Sequence, residues 1–145
     1  MSKTKKYVRF TFYWKLLWQS LAIAAVLFQG FNQRDIAFDL FIACSITFLA
    51  GMALVQKLFD INLFNANKFD FIADERDAAI LEKVNHTIRY NRDNIAYSLL
   101  IVGFFVFNST MESAYKVILF AFFMVTATIL PTCEYYYLWN KFDQE

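Results

Sequence analysis

The chain has 145 residues, a net charge of +1, 59% hydrophobic residues and a mean hydropathy of +0.37. Soluble domains run at about 45–50% apolar, so this composition points to a membrane protein, and the length leaves no room for two soluble domains. The near-zero total charge singles out no strongly acidic or basic partner and gives no footprint for direct nucleic-acid binding.

Four apolar runs organise the chain, at about 16–31, 36–56, 95–108 and 117–132. A helix needs about 20 such residues to cross a bilayer, so four spans would use more than half of the molecule. The fourteen basic residues fall unevenly between the runs. Lys3, Lys5, Lys6, Arg9 and Lys15 precede the first, and Lys57, Lys68, Arg76, Lys83, Arg89 and Arg92 lie between the second and third. Lys141 follows the fourth, and only Arg34 and Lys116 occupy the other two connections. Alternate compartments therefore hold twelve and two basic residues, the positive-inside pattern of a four-span protein with both termini in the cytoplasm. The basic start, Lys3 to Arg9, would lie against an anionic inner leaflet.

The first run carries Trp14 and Trp18 at its inner end, where indoles favour the membrane interface. Tyr135, Tyr136, Tyr137 and Trp139 form a matching cluster after the fourth run. Residues 32–35 are a connection short enough to force an antiparallel hairpin of spans one and two. On span two, Ala43, Thr47 and Gly51 recur every four residues, and Ser20 and Ala24 do so on span one. Small residues at this spacing let helix backbones approach, either within the hairpin or across a homodimer. Asp39 is the one carboxylate inside the second run. An intramembrane acid is a functional candidate, but this one lies about 4.5 Å from the outer end, within reach of water or Arg34.

Residues 57–94 form the long inner connection. Its first part, 59–67, alternates Phe, Ile and Leu with Asn and reads as a segment along the membrane surface. Asp74 then fits a helix cap, with Glu75 and Asp77 in a first turn where the dipole favours anions. Ile80, Val84 and Ile88 follow at four-residue spacing beside Glu82, Lys83, Arg89 and Arg92, which predicts an amphipathic helix. No glycine or proline occurs from Asp74 to Val102, so this helix can run unbroken into span three. A second short connection joins spans three and four as another hairpin. Pro131 predicts a kink near the inner end of span four, because it frees a carbonyl one turn earlier. Glu134, one turn farther on, has Lys15 or Lys141 as possible counter-ions.

The string Asp74-Glu75-Arg76-Asp77 resembles the Asp-Glu-Arg-acid motif of the DUF2178-like group of small bacterial multi-span membrane proteins of unknown function. The resemblance covers roughly residues 71–107. It implies an inner-side motif just before the helix leading into the third span, and it brings no activity with it.

Nothing in the chain marks an enzyme, a cofactor or a metal site. His86 is the single histidine, and with Glu82 it makes at best half a metal site. Cys44 and Cys133 do not form a disulfide framework. The expected architecture is an all-α, integral membrane four-helix bundle of two hairpins, with an amphipathic cytoplasmic helix between spans two and three and no extramembrane core of its own. The expected function is that of a non-enzymatic regulator or adaptor in the bacterial inner (cytoplasmic) membrane. It would bind a cytoplasmic or membrane partner, such as a transcription regulator or transporter subunit, through Arg76, Ile80, Lys83, Val84, Ile88 and Arg89. Two alternatives stand beside it: an immunity protein against a membrane-active peptide, and an oligomeric small transporter or channel around Asp39.

Overall fold

A computed structural model describes residues 3–59, 75–107 and 112–144; between 89 and 107 it describes only the backbone, save at Ile95, Ile101 and Gly103. The described residues are all-helical. Helix α1 is Lys3–Gly30, α2 is Arg34–Phe59 and α3 is Glu75–Phe107. The last helix runs from Ser113 to Gln144, as α4 (Ser113–Met124), a π-helical turn (Val125–Ile129) and α5 (Leu130–Gln144). Asp74 and residues 60–67 lie outside the described residues, as does the side chain of Arg89.

Three helices, α1, α2 and Ser113–Gln144, are long and apolar enough to cross a membrane. At 1.5 Å per residue they measure roughly 42, 39 and 48 Å, well beyond a hydrocarbon core of about 30 Å. Helix α3 spans 33 residues without a break, so the amphipathic segment and the third apolar run are one rod of roughly 50 Å. Its apolar part from Ile95 measures only about 20 Å.

The turn between α1 and α2 is built on Asn32, the one non-glycine residue with positive φ among the described residues (62°). The Asn32 amide donates to the Gln29 carbonyl at 3.1 Å and the Gln33 amide to that of Phe28 at 2.9 Å. This is the Schellman pairing, and a left-handed residue at its centre suits Asn. Helix α2 packs on α1 and α3 on α5, while α1 also touches α4, the π turn and α5. Two antiparallel hairpins thus meet along α1. The beginnings of α1 and α3 and the ends of α2 and α5 gather at one pole, called here the basic end.

The buried core sits at that pole, where none was expected. Tyr7, Val8, Val55, Phe59, Ile80, Leu81, Val84, Leu138 and Trp139 form one cluster, with Phe10, Trp14, Ile88, Tyr135, Tyr136 and Phe142 packed against it. Residues 3–15, expected as a tail, are helical because Thr4, Tyr7, Val8 and Thr11 recur at helical spacing and are all buried. At this pole α1, α2, α3 and α5 each turn an apolar stripe inward, and the four stripes bury one another. Each large side chain so buried contributes roughly 1.5–3 kcal/mol before entropy is counted.

Elsewhere the large apolar residues point outward. Phe38, Phe41, Ile42, Ile46 and Leu49 on α2 are exposed, as are Ile118, Phe120 and Phe122 on α4. Hydroxyls at these levels return to their own helix. Ser45 Oγ donates to the Phe41 carbonyl at 2.9 Å, and Thr47 Oγ1 to that of Ala43 at 2.7 Å. Such bonds satisfy polar side chains locally.

Candidate functional site at the basic end

A polar clasp ties three chain segments around the core. Thr4, fully buried in the first turn of α1, donates its hydroxyl to the Asp77 carboxylate in the first turn of α3. One residue on, Lys5 Nζ lies 2.7 Å from Asp143 Oδ2 near the end of α5. Arg76 Nη2 donates to the Asp143 backbone carbonyl at 2.8 Å and lies 3.9 Å from its carboxylate. Asp143 is thus shared by a cation from α1 and one from α3. Arg76 is mostly exposed, so solvent screens its share; Asp77 is buried, where a hydrogen bond to a charged group is worth about 1.5–3 kcal/mol.

This geometry corrects the partner-binding stripe. Ile80 and Val84 are buried, Val84 completely, and Ile88 packs against the same core. The stripe is therefore not an open docking face; it is already covered by α1, α2 and α5. Asp77 stands in the first turn of α3, as its position predicts, and there it is a buried acceptor. Glu75 stays exposed. Lys83 is exposed and reaches over the Phe142 ring, 5.8 Å from its centroid. It borders an open groove lined by Ala79, Glu82, Lys83, His86, Thr87 and Phe142.

Of the two packings expected for the small residues Ala43, Thr47 and Gly51, the structure shows contact within the hairpin. A Cβ at Gly51 would overlap the Trp14 indole, and Trp14 Nε1 donates to the Thr47 carbonyl at 3.0 Å. The missing side chain opens a slot that α1 fills, so this face is spent within the hairpin. Trp14 is consequently a packing residue, and the buried Trp139 is the same. Of the aromatic cluster on α5, Tyr137 faces outward. Asp39 is exposed and, among the described residues, pairs with no cation, Arg34 included. Glu134 is partly buried and has a partner.

A second polar cluster lies farther along the last helix. Gln19 is buried on α1, and its amide oxygen position is 3.2 Å from Thr132 Oγ1. Thr132 also lies 2.9 Å from the Thr128 carbonyl. A hydroxyl has one proton, so Thr132 shares it between the Gln19 amide oxygen and the Thr128 carbonyl. The π turn lies just before Pro131, with the Leu130 amide reaching back to the Val125 carbonyl. A widened turn thus stands one turn before Pro131, where the freed carbonyl was expected. Thr126 and Thr128 bond to carbonyls one turn back.

Lys5, Thr4 and Asp143 were not found from sequence. The Thr4-Tyr7-Val8-Thr11 spacing was a usable signal for α1; the isolated carboxylate of Asp143 carries none. Among the described residues no group of three or more His, Cys, Asp and Glu is placed to hold a metal ion. Comparison with family models, with curated proteins and with solved structures finds no match. The motif resemblance therefore stands on residues 74–77 alone.

Proposed function

We propose that the protein is a small, non-enzymatic adaptor of the bacterial inner membrane, with four spans and both termini in the cytoplasm. The observation that carries this reading is the pairing of membrane-type helices with a water-type pole. Their overshoots close into a clasped core and leave a polar rim at the pole. The docking surface proposed is that rim, on the outer side of α3: Glu82, Lys83 and His86 beside Phe142. A cytoplasmic or membrane protein partner would meet a rigid surface there, which lowers the ordering cost of binding. Orientation follows from the twelve-to-two division of basic residues.

The test is a photo-crosslinking residue at position 86, with a control at position 115 near the opposite pole. A discrete protein adduct at 86, absent at 115 and lost on Lys83→Glu, is the expected result. Lipid adducts alone at 86 would sink the adaptor. Topology is read in parallel by reporter fusions at Glu145 and after Lys68, both expected to be cytoplasmic.

A second reading, contact with a membrane-active peptide within the bilayer, is favoured by α2. Its outward face of Phe38, Phe41, Ile42, Ile46 and Leu49 is uncovered along several turns.

A further inference from the structure

The outward face of α1 changes character along its length. Lys6 and Arg9 are exposed, then Tyr13, then Leu17. These residues lie within about 80° of one another around a helix of 3.6 residues per turn, and Lys6 is about 10 Å below Tyr13. Helix α5 repeats the order in reverse, with Leu130, Tyr137 and Lys141 exposed on one face. Phe12 stacks on Tyr136 with ring centroids 4.1 Å apart, so the adjoining Tyr13 and Tyr137 stand at one height on neighbouring helices. Aliphatic, tyrosine, then cation is the order of a bilayer boundary crossed from hydrocarbon to headgroup.

The cations on the two sides of α1 differ in what neutralises them. Lys5, turned inward, meets Asp143. Lys6 and Arg9, turned outward, have no ion pair or hydrogen bond among the described residues, and neither does Lys57 on α2. The edge-on contact of Tyr7 with Phe59 (5.2 Å) holds Lys57 at the height of the first turns of α1. Uncompensated cations thus sit just beyond the tyrosine level, at the depth of lipid phosphates.

We propose that this face, centred on Lys6 and Arg9, is a binding site for anionic phospholipid headgroups. The inference rests on the membrane reading above. Arg9 offers a planar fork of donors to a phosphate and Lys6 a compact charge. Tyr13 and Leu17 would line the start of the acyl chains.

The full-length protein is placed in nanodiscs of zwitterionic lipid doped with brominated phosphatidylglycerol or brominated phosphatidylcholine. Quenching of tryptophan emission then reports which lipid sits beside Trp14 and Trp18. The expected preference for the anionic lipid is roughly ten- to thirtyfold. It should collapse to within about twofold in Lys6→Gln/Arg9→Gln and fall with added salt. Arg34→Gln, at the other pole, should leave it intact, and circular dichroism checks that helix content is unchanged. Equal quenching by both lipids in the unaltered protein, or a preference that survives the double substitution, overturns the site. Displacement by soluble glycerol phosphate would assign it to free phosphate and overturn it equally. Failure to enter nanodiscs of either lipid would instead strike the membrane reading itself.

Discussion

The basic end and the middle of α2 are made from similar residues and treat them oppositely. At the basic end Val55, Val84 and Trp139 are 1%, 0% and 2% exposed, whereas Phe38, Ile46 and Leu49 on α2 are 64%, 61% and 63% exposed. On the membrane reading proposed above, the difference is one of solvent. Apolar stripes in water are driven together, but lipid tails are as apolar as leucine and give helices no such push. The basic end therefore behaves as a small soluble domain, closed by a polar clasp. The middle of the molecule holds together through close approach, the Trp14–Gly51 slot, and through Gln19 and Thr132.

The contrast is broken most severely by a charge in the core. Val84→Asp should cost several kcal/mol, since its carboxylate would have no partner there. Trypsin should then cut rapidly at the basic end, while Phe41→Ala should stay within about 0.5 kcal/mol by thermal unfolding in detergent. Equal melting shifts for the two variants would contradict the division into two solvents.

Filling the α1–α2 slot is the next largest effect. Gly51→Val should destabilise the hairpin by about 3 kcal/mol, the upper end of overpacking costs, because its side chain lands in the Trp14 ring. Trp14→Ala in the same chain should recover part of the loss. A double-mutant cycle with purely additive effects would show that the two residues do not share that space.

The clasp then separates into a buried and an exposed half. Thr4→Val should lose about 1.5–3 kcal/mol by leaving Asp77 short of a donor. Asp143→Asn should lose at most about 1 kcal/mol, as expected of a partly solvated pair. Hydrogen exchange of the first turns of α1 would rise sharply in the former and modestly in the latter. The reverse ranking would place the main tie at Asp143.

Much of the architecture was legible because local patterns carry it. Length and spacing of apolar residues predict helices; the missing Gly and Pro between residues 74 and 102 predict one long α3; the short connection at 32–35 predicts a hairpin. The inner core was missed because each helix contributes only two or three buried residues to it, too few to register as a separate domain. The candidate site was half legible. The periodicity of Ile80, Val84 and Ile88 marks an apolar stripe, but periodicity cannot distinguish an intramolecular neighbour from a foreign one.

The sequence by itself determined that the chain is helical, where its apolar runs lie, and on which side of each run the cations accumulate. Those properties depend on residues within a few turns of one another, and charge counting needs no contacts at all. Only the tertiary structure decided which face of each helix meets which. It turned Trp14 into a plug for Gly51, enclosed Asp77 beside Thr4, and set Tyr13 level with Tyr137. These pairings join residues 37 to 124 positions apart, as differences of their numbers show. Nothing local encodes them; they follow from which faces of four long helices come together, and residues that meet across helices stand far apart in the chain.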